Sequence, residues 1–485
     1  MAQQIIEGYI PYRDFIDINF PGIYALHAVV LSLLGNSDTD WTVFVFLWLA
    51  FTSYISARYC WKISRLAAVL IPGLFICLVV GMGVFSFGQR DFFMVLFLLV
   101  SLDQFAEFLE SSELEPLSWI HRKLFWSGFF LGAATSIKPT PIVLFVAFIS
   151  IIFLRALVRS LRKKSRISIT QQYFDIKYLL GQSFILFSGI AIIPGAFTVW
   201  LVLNDGFNPF LEIIFDYIFP IYSGLHRLNL DLLTKQLLLR YWPLIMNMPL
   251  LLISFTLVKK KEYFIRIGLL FLTICYGIFH FIFQGKGWDY QLFPFLFCVV
   301  LLQAILFGLM LQEKYYFQIV ALFWLLLTLS INGFIIKNSS QAKPELILRG
   351  IKPAVPALVG DLQTLGISPE KRVQVMDVTE GGLHVLYFLN QRQATSYIYD
   401  FLFLNATNQI YVRNLQTDFI IQLHSIRPEW VVIFSNGWEQ QEKGIARFRT
   451  FPEFITLLNN EYHPVIEREQ YIIYERIRII NNGSP

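Results

Sequence analysis

Charge is scarce in this sequence. Aspartate, glutamate, lysine and arginine make up 15% of its 485 residues, where an ordinary soluble domain carries about 25%. Hydrophobic residues make up 56%, with 48 phenylalanines among them, and the mean hydropathy is +0.56. A large soluble core would hold that much apolar material as short runs. Here the runs continue over membrane-spanning lengths, which excludes a water-soluble enzyme and points to a bilayer. Cysteine is scarce too. Cys60, Cys77, Cys275 and Cys298 sit in or beside apolar segments, without the spacing of a metal site or a disulfide framework. Internal repeats and low-complexity tracts are absent. The net charge of +5 does not mark a nucleic-acid binder, because the basic residues cluster between apolar runs, where membrane orientation accounts for them.

Runs long enough to cross about 30 Å of hydrocarbon occur at 41–58, 65–86, 92–109, 180–203, 241–258, 263–283, 290–312 and 316–336. Two more, 124–137 and 140–157, meet at Lys138-Pro139. That break predicts two helices joined at an interface instead of one helix with a buried lysine. The fold class is therefore a polytopic α-helical membrane protein with about ten transmembrane helices. The shorter apolar stretch from Pro21 to Gly35 predicts a helix lying in the interface. The 155–179 loop carries Arg155, Arg159, Arg162, Lys163, Lys164 and Arg166, and Lys259, Lys260 and Lys261 open the loop after 241–258. Both loops are expected in the cytoplasm. Alternation then places 1–40, Gly88–Asp91, the Lys138 turn and 284–290 on the other side. The chain divides into a transmembrane domain, 1–337, and an external α/β domain, 338–485. In the latter, strands are expected at 372–378, 430–434 and 471–475, with a helix at 452–462.

Polar residues held at one membrane face need a reason, because each costs insertion energy. Four motifs qualify. Gly8 to Pro21 brings Arg13, Asp14, Asp17 and Asn19 to the start of the interfacial helix, unless it is only a salt-bridged surface turn. Gly88 to Asp91 adds Arg90 and Asp91 at a helix mouth, where a plain interfacial Arg-Asp anchor is the alternative. Lys138 stands between two apolar helices and meets either an anion or, by snorkelling, water. Gln284 to Tyr290 supplies Lys286, Trp288, Asp289 and Tyr290, with an interfacial aromatic belt as the alternative. Together, acids, cations and aromatics facing one compartment beside lipid suit a lipid-linked anionic substrate.

The first motif, GYIPYRDFIDINFPGIY, resembles the first external loop of GT-C glycosyltransferases of the protein-mannosyltransferase and aminoarabinose-transferase type. GQRD, SIKP and KGWDY are similar to further loop motifs of a bacterial branch of that group, as is the α/β tail, so the resemblance covers most of the chain. It implies inverting transfer of a sugar from a polyprenyl-phosphate-linked donor to a lipid, glycan or protein acceptor at the non-cytoplasmic face of a bacterial inner membrane. It also implies contact with membrane lipids. The candidate catalytic acids are Asp91, Asp17 and Asp14, with Asp91 the best local candidate although paired with Arg90. Arg13, Arg90, Lys138, Lys286, Trp288 and Tyr290 are the substrate-binding candidates, with Lys138 and Arg90 on the donor phosphate. Neither a cofactor nor an oligomeric state is specified, and a divalent metal stays open. Relatives carry a first transmembrane helix and their principal acid ahead of the glycine matching Gly8, which only seven residues precede here. The expectation is a start assigned too late, and a 485-residue form that is inactive or badly inserted. The alternatives are a transporter or flippase of anionic lipid-linked substrates and an inactive paralogue.

Overall fold

The computed structural model describes residues 1–35, 37–83, 86–111, 115–162, 169–245, 261–312, parts of 315–326, residue 352, and 354–368, 372–377, 380–438 and 442–477. The chain is mostly helical. Helix α1 (Pro21–Leu34) is followed by α2 (Asp38–Trp61), α3 (Arg65–Met82), α4 (Arg90–Glu110), α5 (Leu117–Ile137), α6 (Ile142–Arg162) and α7 (Ile169–Leu203). A π-helix (Ile213–Tyr222), α8 (Leu230–Ile245), α9 (Lys261–Gln284) and α10 (Phe293–Met310) complete the helical part. Among the described residues six helices are long and apolar enough to cross a membrane: Asp38–Trp61, Arg65–Met82, Arg90–Glu110, Lys177–Leu203, Tyr263–Gln284 and Asp289–Met310. Of the expected spans, 241–258 and 316–336 lie largely outside the described residues, as do Lys163, Lys164 and Arg166 of the 155–179 loop.

Local chemistry sets the helix ends. Pro21 opens α1 at a position where its missing N–H costs nothing. Ser37 and Asp40 form a reciprocal capping box at α2. Helix α5 ends because Lys138 precedes a proline, which pushes its backbone out of the helical region to φ −145°, ψ 137°. Lys138 is thus an extended residue leaving a helix end, which turns the lysine away from the helix axis and into the protein. The 124–137 span proves to be a 21-residue helix starting at Leu117; its first turns carry Trp119, His121, Arg122 and Lys123, which hid the start from an apolar count.

Glycines allow two approaches that matter. A Cβ on Gly22 would lie 2.5 Å from the Ser136 carbonyl oxygen, so α1 rests against the last turn of α5 just before Lys138. The PGIY and SIKP motifs are therefore neighbours. Helices α5 and α7 touch backbone to backbone, since a Cβ on Gly189 would stand 2.3 Å from the Phe125 carbonyl oxygen. At the end of the bundle opposite Lys138, Arg266 of α9 bonds Asp103 and Glu110 of α4 at 2.7 Å each, and Lys62 joins Asp103 at 2.8 Å.

The C-terminal region forms a four-stranded sheet in the order β1-β2-β4-β3, with β1 Val373–Met376, β2 Trp430–Phe434, β3 Tyr462–Glu467 and β4 Tyr471–Arg476. Strands β1 and β2 are parallel, and the other pairings antiparallel. Alternation along β2 divides two cores: Trp430, Val432 and Phe434 pack with α11 (Ala354–Thr364), whereas Val431 and Ile433 belong to the core shared with the membrane helices. The three expected strands and the 452–462 helix, here α14 (Pro452–Glu461), are present. Strand β3, largely exposed or half-buried, gave no apolar run to read. Helices α12 (Gly382–Phe388) and α13 (Ile410–Ile426) were also unanticipated. This region joins the first loop through a strand-like contact in which Ile16 N–H donates to the Ser396 carbonyl at 2.8 Å.

Candidate active site

The motifs at the N-terminal end of α4 and the C-terminal ends of α5 and α9 converge on one buried polar cluster. Asp91, in the first turn of α4, is wholly buried. One of its carboxylate oxygens accepts from Lys138 Nζ at 2.7 Å and the other lies 2.6 Å from His280 Nε2. Lys138, 7% exposed, also donates to Gln284 Oε1 at 2.6 Å and stands 5.5 Å from the Tyr290 ring centre. Gln291 Nε2 donates to the same Gln284 oxygen at 2.9 Å. Thr140, two residues past Lys138, places its hydroxyl 2.6 Å from His280 Nδ1, with Tyr276 OH 3.3 Å from the same nitrogen.

Asp91 was expected to pair with its neighbour Arg90. It does not: successive helical residues point in different directions, and Arg90 instead donates to the Asn19 side chain. Asp91 has both oxygens occupied, so it is a poorer proton acceptor than its position suggested. Asp17 differs. It is wholly buried; its Oδ1 accepts from the Ile18 and Asn19 backbone N–H groups and from the Asn19 amide, while Oδ2 has no donor in full hydrogen-bond geometry, the Tyr24 hydroxyl being the donor near the carboxylate. Burial pushes its carboxyl above the ordinary value of 3.8, against the opposing pull of Tyr24, Asn19 and Arg90.

The remaining candidates lie apart from this cluster. Arg13 and Asp14 pair with each other at 2.8 Å, and Arg13 also donates to the Asn204 carbonyl. That is the surface-turn arrangement, and Asp14 faces a separate cavity of about 910 Å³ lined also by Glu7, His27, Trp41 and His384. Lys286 is buried, but its ammonium donates to the Tyr222 and Leu225 carbonyls, which ties its loop to the π-helix. Trp288 lies tilted against Tyr290 and against Trp438 of the C-terminal region, with ring centres 5.6 and 5.9 Å apart. Among the described residues no group of three or more His, Cys, Asp or Glu is arranged to hold a metal ion. Sequence reasoning missed His280, Thr140 and Gln284 as participants. An ionisable side chain in an apolar helix was the available signal for His280.

No family model and no curated protein matches the sequence. Solved structures do match. ArnT from Cupriavidus metallidurans bound to undecaprenyl phosphate aligns over 100% of this chain and 93% of its own, at 10% identity and a TM-score of 0.57. The chain has the GT-C fold. The apo form of the same ArnT aligns over 95% of this chain and 88% of its own, at 12% identity and a TM-score of 0.51. An Archaeoglobus fulgidus oligosaccharyltransferase also aligns, over 96% of this chain and 67% of its own, at 10% identity and a TM-score of 0.48. With the GT-C fold, the helices bearing Asp91, Lys138 and His280 form one polar end of an apolar bundle, and the C-terminal region packs at that end.

Proposed function

We propose that the chain is an integral-membrane glycosyltransferase, moving a sugar from a polyprenyl-phosphate-linked donor to a lipid, glycan or protein acceptor at the non-cytoplasmic face with inversion. The observation that carries this is the buried cluster of Lys138, Asp91, His280 and Gln284 at one end of a GT-C bundle, next to Arg90 and the half-satisfied carboxylate of Asp17. The fold shared with ArnT from Cupriavidus metallidurans, which was solved bound to undecaprenyl phosphate, lends support to a lipid phosphate as ligand. Lys138 and Arg90 are assigned to the phosphoryl oxygens, whose charge grows as the glycosidic bond breaks. Asp17 is assigned as the acid that takes the acceptor proton: its more loosely held oxygen and raised pKa suit a base better than the doubly held Asp91. Trp288 and Tyr290 provide apolar faces for a sugar ring. The C-terminal region is placed in the external compartment.

The test is sugar transfer in proteoliposomes supplied with polyprenyl-phosphate sugars. Asp17→Asn is expected to lower kcat by about 10²–10⁴-fold, the range for loss of a general base. Transfer by Asp17→Asn at the unaltered rate would remove Asp17 from the mechanism. Transport of the lipid-linked donor without sugar release would replace the enzyme reading with the transporter one.

A further inference from the structure

We infer that His280 is a positioning residue that keeps the Lys138 ammonium available to a phosphoryl oxygen by holding the Asp91 carboxylate from its other side. The inference rests on the donor reading above. It starts from a closed ring of contacts: Lys138 to Asp91 at 2.7 Å, Asp91 to His280 at 2.6 Å, His280 to Thr140 at 2.6 Å, and Thr140 back to Lys138 through Pro139. The turn that presents the lysine also presents the hydroxyl that orients the imidazole. Two groups face His280 Nε2, the Asp91 carboxylate at 2.6 Å and the Gln284 amide nitrogen at 2.7 Å. Because a buried carboxylate only accepts and is the stronger partner, Nε2 carries the proton toward Asp91, the Gln284 amide lies beside that N–H without bonding it, and Nδ1 is left to the Thr140 and Tyr276 hydroxyls.

The electrostatic consequence concerns Lys138. Two of its three N–H groups are engaged, by Asp91 and Gln284, and the third is what a phosphate oxygen can use. A buried carboxylate deprived of one donor turns both oxygens toward the remaining one. Without the imidazole, Asp91 closes on Lys138, and the incoming phosphate then competes with a full carboxylate for one ammonium in a low-dielectric site. The imidazole takes up half of that demand. Gln284, one turn beyond His280 on α9 with its amide nitrogen 2.7 Å from His280 Nε2, accepts from the lysine through its Oε1, which Gln291 also holds, so the ammonium stays between two partial acceptors instead of collapsing onto one.

The experiment measures binding of undecaprenyl phosphate to the full chain in detergent, together with KM and kcat for the sugar donor. His280→Ala is expected to weaken binding about tenfold, the equivalent of one charge-assisted hydrogen bond, and to raise KM more than it lowers kcat. His280→Gln, whose amide can reach the place of the imidazole Nε2, is expected to bring binding back to within about threefold. Thr140→Val is expected to fall between the two. A purely structural histidine would give a lower melting temperature with unchanged affinity in the folded fraction. Equal affinity of the unaltered chain and His280→Ala overturns this inference and leaves the donor reading standing. Failure of the unaltered chain to bind the lipid phosphate overturns the donor reading and this inference with it.

Discussion

Asp17 concentrates the physical tension of the site. It is buried, yet one oxygen has no donor in full hydrogen-bond geometry, and its carboxyl titrates above the usual range because burial outweighs its hydrogen bonds. The folded state therefore binds the proton more readily than the unfolded one, so stability is present at and below the ordinary aspartate pKa and is lost as pH rises through the higher folded pKa. Asp17→Asn keeps the shape and removes the charge. Its melting temperature in detergent is expected to equal or exceed that of the unaltered chain at pH 7, with the difference vanishing near pH 4. A lower melting temperature for Asp17→Asn at pH 7 would show the carboxylate to be net stabilising. The sequence made Asp17, Asp91 and Lys138 legible, because charges beside apolar runs demand explanation. Their partners were not legible. Asp91 reads as Arg90's partner in one dimension, and only helix geometry hands it to Lys138 and His280, which are 47 and 189 residues away.

At the scale of elements, six of the ten apolar runs coincide with helices long and apolar enough to cross a membrane, because hydrocarbon thickness fixes how long each must be. Contacts between helices were hidden in single glycines. Gly128 and Gly132 on α5 and Gly189 on α7 bring two backbones together where no side chain fits: Cβ atoms there would stand 2.3, 2.4 and 2.3 Å from carbonyl oxygens of the facing helix. Small residues at such an interface replace the hydrophobic drive that lipid does not supply. Gly132→Leu is expected to separate α5 from α7 and cost at least the ~1–3 kcal/mol typical of overpacking, seen as a large drop in melting temperature in detergent. Because α5 ends at Lys138, transfer should fall as well. Gly268→Ala on α9, where an added Cβ meets nothing, is the control and should be neutral or slightly stabilising. An undisturbed Gly132→Leu would mean that the helix pair has room its geometry denies. The antiparallel register of α4 and α9 was likewise unreadable from either helix alone. It shows as Asp91 against His280 near one end and Asp103 against Arg266 near the other.

For the whole molecule, the first loop, the N-terminal end of α4, the α5–α6 turn, the loop after α9 and the C-terminal region gather at one end of the bundle. Ile16 bonds Ser396, and Trp288 meets Trp438. Alternation of the expected spans puts these segments on one side of the membrane, and the absolute direction rests on the basic clusters at 155–179 and 259–261. The decisive measurement is labelling of single cysteines by a membrane-impermeant thiol reagent in intact cells, after replacing Cys60, Cys77, Cys275 and Cys298. Glu453 is exposed on α14 of the C-terminal region, and Ser118 is exposed at the start of α5, the end away from Lys138. Glu453→Cys is expected to react from outside, and Ser118→Cys only once the membrane is permeabilised. The reverse pattern would put Asp17, Asp91 and Lys138 at the cytoplasmic face. A donor presented outside could not then reach them, and the glycosyl transfer proposed here would have to draw on a cytoplasmic donor instead. Labelling of both cysteines in intact cells would contradict the alternation itself, because the alternation makes the 21-residue α5 a crossing from one face to the other, with a length at about 1.5 Å per residue that matches the hydrocarbon.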